Sequence, residues 1–256
     1  MAKRPILTDY DKIIAALFKK KFKPKQKTSE LNFSKDELVE TANELGIQLR
    51  NAPDVIYTYR SRRALPERIL RTGNWVLVPK GKGRFSFAKS KRATFIEIPE
   101  GLASIEILNA LPEIVEKYTQ NDEQGLLSTI RYNRLVDIFT GITCFHLQPH
   151  IRTTIIKEGQ IEIDDLYVGI DEDGNEYILP IEAKSPDERD KLGWFQIANL
   201  VKFATQYFPD LKCRPIAAKP AGKGLVCLLE FDSSTDFEEI GIKNIKMYKL
   251  VRETPK

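Results

Sequence analysis

Two histidines, two methionines, two tryptophans and three cysteines are all that this chain of 256 residues holds of those types. The cysteines, Cys144, Cys213 and Cys227, form no Cys-x-x-Cys pair. Their number and scatter exclude a disulfide framework and a zinc knuckle, and reduced thiols are expected. His146 and His150 stand four apart, but Gln148 and Pro149 interrupt any regular helix between them, and no third ligand accompanies them. They read as structural, and Cys144 near His146 is too little to make a nucleophile. No apolar run approaches the ~18 residues of a membrane span. Met1-Ala2-Lys3-Arg4-Pro5 has neither the apolar stretch nor the small-residue cleavage site of a secretory signal. The expected location is the cytoplasm, with no membrane partner. There is no internal repeat and no phosphate-binding G-x-x-x-x-G-K-[ST] loop; Lys80-Gly81-Lys82-Gly83 is a poor substitute, so no ATP requirement is expected.

What is present is enough for a packed protein. Hydrophobic residues make up 42% and charged residues 30%, which is not the balance of a disordered chain. At ~100–200 residues per domain the length suits two domains, or one large one. The net charge of +4 conceals an asymmetry. Residues 1–100 hold 22 Lys+Arg against 11 Asp+Glu, or +11, and residues 101–256 hold 18 against 25, or −7. A basic half can be held by phosphates through Coulomb attraction and counterion release.

In the basic half, Ile13, Ile14, Leu17 and Phe18 recur at helical spacing within 8–22, behind a cap at Thr8. Residues 23–32 are polar and read as a loop. Ser34 and Glu37 have capping-box spacing, Leu38, Ala42 and Leu45 follow as one stripe, and Gly46 closes the helix. A second helical stretch covers about 54–71, with a break near Leu65 forced by Pro66. Its polar positions include Arg60, Arg62, Arg63, Arg68 and Arg71. Residues 74–79 and 84–87 read as strands around a basic turn that carries Lys80, Lys82 and Arg84. Helix, turn, arginine-rich helix and basic hairpin together resemble a winged helix-turn-helix. That resemblance implies a helix in the major groove and a hairpin on the flanking backbone, with these eight cationic residues as DNA contacts.

In the acidic half, helices are expected at about 110–118 and 122–139 and strands at 151–156, 160–170 and 176–184. Asp171-Glu172-Asp173-Gly174-Asn175 is the turn between the last two. A helix over about 191–208 follows, then strand candidates at 214–218, 225–231 and 245–251. Residues 219–224 read as a basic, glycine-bearing connection. Charges inside buried strands are costly unless paired or bound to metal. Here Asp164 lies in one strand, and Glu182 and Lys184, two apart on one face, end its neighbour. Two carboxylates and an ammonium at one point make a hard-oxygen site suited to Mg²⁺. Lys184 is placed there to orient or deprotonate a water, or to stabilise charge on phosphorus.

At these residues the chain resembles the PD-(D/E)xK nuclease superfamily, and the bacterial restriction endonucleases within it. Asp164 matches the first acid, and Glu182-Ala183-Lys184 matches the (D/E)-x-K. Gln196 falls where many members carry a supporting glutamine. Ile163 stands where the motif has Pro, and Glu162 and Asp165 rival Asp164 as first acid. Glu123 or Asp137 would supply an acid on the preceding helix, and Glu162 a further ligand. The resemblance implies a fold of α/β (α+β) class: a mixed central sheet flanked by helices over 101–256, plus the winged-helix-like domain over 1–100. It implies a Mg²⁺-dependent endonuclease, with Mn²⁺ able to substitute, acting on double-stranded DNA. Asp164 and Glu182 would hold metal, and Asp164, Glu182, Lys184 and Gln196 would form the catalytic set. Cutting both strands implies a homodimer on DNA, and a restriction enzyme implies a cognate DNA methyltransferase acting on the same site. Two other readings stand beside it: a catalytically silent DNA-binding protein, and a structure-specific repair nuclease.

Overall fold

A computed structural model describes residues 7–24, 28–156 and 159–252, and the side chains of Ser61 and Arg62 lie outside the described residues. So do the N-terminal residues read above for a secretory signal and positions 25–27 of the polar segment. The chain divides into two compact units. One holds the residues up to Phe95 with the short segment Ile156–Gly159, and the other holds Ile96–Ile155 with the residues from Gln160 onward. Among the described residues no helix is long and apolar enough to cross a membrane.

The first unit begins with α1 (Asp9–Lys21). Thr8 Oγ1 accepts the Asp11 N–H, and the Asp11 carboxylate accepts the Thr8 N–H, so two end donors are satisfied reciprocally. Next come β1 (Glu30–Ser34) and α2 (Lys35–Glu44), the latter capped in the same way by Ser34 and Glu37. After it Gly46 takes φ +69°, which glycine adopts without steric cost. The arginine-rich stretch is two pieces. α3 (Ala52–Tyr57) runs into a wider π-helical turn over Thr58–Arg62, and α4 (Glu67–Leu70) restarts behind Pro66. β2 (Trp75–Pro79) and β3 (Arg84–Lys89) form the hairpin. β1 was not expected, since 23–32 reads as polar. Its Leu31 and Phe33 are buried, and β1 pairs with β3, so that the sheet order is β1-β3-β2. Two apolar side chains are too short a signal to show a strand before its partner is known. Phe18 meets Trp75 and Phe87 edge-on at ring distances of 5.3 and 5.1 Å and ties α1 to the sheet.

The second unit is a mixed sheet flanked by helices. It contains β4 (Ser104–Leu108), α5 (Glu113–Tyr118), α6 (Glu123–Tyr132), α7 (Leu135–Thr140), β5 (Thr143–Ile155), β6 (Gly159–Ile170) and β7 (Glu176–Ala183). It continues with α8 (Trp194–Tyr207), β8 (Lys212–Cys213), β9 (Ile216–Gly222), β10 (Leu225–Phe231) and β11 (Ile242–Val251). The strand order is β4-β11-β10-β9-β7-β6-β5, with β8 beside β7. β7 runs parallel to β9 and β11 parallel to β4, while β6–β7, β9–β10 and β10–β11 are antiparallel. Alternate residues separate the two faces. Ile178, Cys227, Leu229 and Phe231 pack with α8, and Leu179, Val226 and Leu228 pack with α6 and α7.

Three local expectations change, and one strand is new. The helix expected over 122–139 is two, because Arg134 adopts a left-handed φ of 50° between α6 and α7. His146 and His150 lie on β5, which extends well before residue 151. β9 continues to Gly222 through what reads as a connection. β4 pairs with distant β11, a partnership that local pattern does not announce.

Candidate active site

The β6–β7 ladder runs in register from Ile170–Glu176 to Asp165–Ile181. Where it ends, Asp164 Oδ2 accepts the Ala183 N–H at 2.7 Å. This side chain thus takes over a donor of the neighbouring strand and is fixed beside Glu182. Ile181 and Ala183 pack on the α6–α7 side, so Glu182 between them points toward α8. There Gln196, on the first turn of α8, donates Nε2–H to Glu182, while its own Oε1 accepts the Gly193 N–H at 3.0 Å. Lys184 Nζ donates to Glu182 Oε1 at 2.8 Å and lies 3.5 Å from Asp190 Oδ1. Glu182, Lys184 and Gln196 are all buried.

Glu123 joins this group from the start of α6. Asp122 caps that helix by accepting the Gly125 N–H at 2.8 Å. Residue 125 has to be glycine, since a Cβ would stand 1.9 Å from the Gln120 carbonyl oxygen. The Glu123 carboxyl hydrogen-bonds Asp190 and feels the charges of Lys184 and Glu182. Asp190, on the loop after β7, ties the cluster together. Its Oδ2 accepts the Ser185 N–H at 2.7 Å, and its carbonyl accepts from Lys219 Nζ at 2.7 Å.

Burial and crowding raise the proton affinity of three of these acids. Burial, then the charge of Glu182, pushes Asp164 up to about 9. Burial, then Asp190, pushes Glu123 up to about 7. Burial moves Glu182 in the same direction against the pull of Lys184. Burial opposes the charge on Lys184, yet Glu182 and Asp190 outweigh it and hold the ammonium above its ordinary range. Among the described residues no three His, Cys, Asp or Glu side chains are already gathered at metal-ligating distance.

Asp164, Glu182, Lys184 and Gln196 therefore meet in one place, with Glu123 added. Asp137 lies elsewhere, bound to Arg134 and to the Cys144 N–H. Glu162 sits 3.0 Å from His150 and 3.6 Å from Arg152, and only its field reaches Glu182. Asp165 turns to the other side, to Arg131 and His146. Asp190 was not singled out by sequence; its one local signal is an acid just before a helix that follows E-x-K.

The cationic candidates of the first unit differ in what holds them. Arg63 donates to Thr8 and Tyr59, stacks on the Tyr59 ring and faces Asp11. Arg68 donates to the Asp11 carbonyl, Arg71 pairs with Glu67, and Lys80 pairs with Glu30. Arg60 is half-buried, and the side chain of Arg62 lies outside the described residues. Lys82 and Arg84 stand exposed at the hairpin turn.

No family model matches the chain, and no solved structure matches it. An N-acetyl-D-glucosamine kinase of Erwinia tasmaniensis is 29% identical over 85 residues, which is 33% of this chain. The matched stretch spans 27% of that kinase.

Proposed function

We propose that the second unit hydrolyses phosphodiester bonds of double-stranded DNA as a Mg²⁺-dependent endonuclease with a restriction-endonuclease-like core, and that the first unit, winged-helix-like, holds the DNA. The observation that carries this reading is the convergence of Glu123, Asp164 and Glu182 with Lys184 and Gln196 at one end of β6 and β7. The donors are all oxygen, and their raised proton affinities record an excess of buried negative charge. A divalent cation relieves the same excess, and Mg²⁺ prefers such ligands. Asp164 and Glu182 would hold it, with Glu123 beside them and Mn²⁺ able to take its place. When bound, the ion polarises the phosphate and lowers the pKa of a water.

The remaining chemistry belongs to the side chains. Lys184, set between Glu182 and Asp190, stays an ammonium. It steadies Glu182 and offsets charge growing on the phosphate oxygens instead of taking a proton from water. Glu123, with a pKa near neutrality, is the acid of the group that can exchange a proton at working pH. Gln196 sets the rotamer of Glu182. Of the eight cationic candidates, Lys82 and Arg84, exposed at the hairpin turn, are assigned to meet phosphate. On this reading the protein works in the cytoplasm, as a homodimer on DNA, beside a methyltransferase that protects the same site.

The test is incubation of the protein with unmethylated phage DNA in Mg²⁺ or EDTA. Discrete Mg²⁺-dependent fragments support the reading, and a smear transfers it to a repair or non-specific nuclease. Intact but retarded DNA transfers it to a silent DNA-binding protein. Cleavage that survives both Glu182→Ala and Lys184→Ala overturns the site. A second reading, phosphoryl transfer to an amino sugar, rests on the short similarity to the kinase. Consumption of ATP with N-acetyl-D-glucosamine is its test.

A further inference from the structure

Lys219 is half-buried on β9, and its ammonium goes to main-chain oxygens. Its Nζ donates to the Asp190 carbonyl at 2.7 Å and to the Asp187 carbonyl at 3.5 Å. The Asp187 carbonyl also accepts the Asp190 N–H at 3.0 Å, so a single cation closes the turn that carries Asp190. The Asp187 carboxylate is held by Arg189 instead. The sheet sets this geometry. Ala183 and Ala218 are partners across β7 and β9, and the Lys184 N–H donates to the Ala218 carbonyl at 2.9 Å. Lys219, the next residue along β9, therefore stands beside the end of β7 that leads into Lys184.

The turn held in this way presents the Asp190 carboxylate to Lys184. Its Oδ2 accepts the Ser185 N–H at 2.7 Å, which leaves Oδ1 at 3.5 Å from Lys184 Nζ. The same ammonium meets Glu182 Oε1 at 2.8 Å, the oxygen that also accepts from Gln196. Lys184 and Glu182 are buried, so water does little to screen their charges. How the ammonium divides between the two carboxylates is set by where the turn holds Asp190. Without that second carboxylate the ammonium settles on Glu182 alone and competes there with any other cation.

We propose that Asp190, held in place by Lys219, is a positioning residue that draws the Lys184 ammonium away from Glu182 and so leaves Glu182 open to a divalent cation. The inference rests on the nuclease reading in taking Glu182 as a metal ligand. The sign of one substitution separates positioning from simple charge. Removing a cation beside a cation site strengthens binding through Coulomb's law. Lys219→Met removes a cation and also releases the Asp190 turn, so on the proposal it weakens binding.

The test is calorimetric titration of the whole, DNA-free chain with Mg²⁺ and, separately, with Mn²⁺. Lys219→Met and Asp190→Asn are titrated in parallel; the amide oxygen of the second still accepts the Ser185 N–H. Asp190→Asn is expected to weaken binding about tenfold, the scale for a support to a metal ligand, and Lys219→Met about threefold or more in the same direction. Thermal melting in EDTA shows which variants are folded, and if Asp190→Asn is not, the sign of the Lys219→Met change decides alone. Binding by Lys219→Met as tight as the parent's or tighter, or unchanged binding by folded Asp190→Asn, overturns the proposal and leaves the nuclease reading standing. A parent chain that binds neither ion overturns the proposal as well, and the nuclease reading falls with it if phage DNA also stays intact in Mg²⁺.

Discussion

Asp164 and Asp165 are consecutive residues of β6 with separate tasks: Asp164 accepts the Ala183 N–H beside Glu182, while Asp165 holds Arg131 and His146. Substitution separates them. Asp164→Asn should abolish DNA cleavage and leave the fold intact, since the amide oxygen still accepts the Ala183 N–H. Asp165→Ala should cost about 2–3 kcal/mol, less than a fully buried pair, because Arg131 is 35% exposed. Urea unfolding and a cleavage gel on both variants check this. Equal stability losses for the two would contradict the division.

Stability should depend on pH with a definite sign. Asp164 and Glu123 are pushed up to about 9 and about 7, from ordinary values of 3.8 and 4.5. Between the ordinary and the raised values the folded chain binds more protons than the unfolded one. Stability therefore falls as pH rises across about 4 to 9. In EDTA the Tm should drop over that range, and Asp164→Asn should flatten the upper part of the fall. Added Mg²⁺ should restore Tm at high pH, by binding the ionised carboxylates in the folded state alone. A Tm that rises steadily to pH 9 in EDTA would contradict the assignment.

Gln196 acts through Glu182. Removing its amide in Gln196→Ala frees the Glu182 rotamer and leaves the Gly193 N–H without its acceptor. The expected cost is about 1–2 kcal/mol of stability. Turnover should fall by at least about tenfold, the usual scale for a support to a metal ligand. DNA affinity in EDTA should be unchanged. Gel retardation beside single-turnover cleavage measures the split.

The hairpin turn and the arginine network of the first unit should respond differently. Lys82→Ala with Arg84→Ala should weaken DNA retention and reduce the salt dependence, by about 0.9 in log–log slope for each phosphate no longer neutralised. Melting should not change. Arg63→Ala should instead lower Tm, because Arg63 bridges Thr8, Tyr59 and Asp11. Retardation across a salt series, with melting curves, tests both.

Local signals in the sequence were enough for much of this protein. The Thr8 and Ser34 caps, the stop at Gly46, the Pro66 break and the hairpin turn at 171–175 depend on interactions within a few residues, so their chemistry is written in adjacent positions. The E-x-K spacing likewise places Glu182 and Lys184 on one side of a strand. Tertiary structure alone decided the rest. β1 and β4 are strands only because distant β3 and β11 pair with them. Glu123 entered the acid cluster in preference to Asp137 because α6 breaks at Arg134, which sends the two acids to different neighbours. Asp190 became its hub because the loop after β7 folds back on Ser185 and Lys219. Arg63 and Arg68 found their partners at Asp11 of α1 and at its cap Thr8, far away in the sequence. Electrostatic partners are set by distance in space, and spacing along a chain reports that distance only within a single helix, strand or turn.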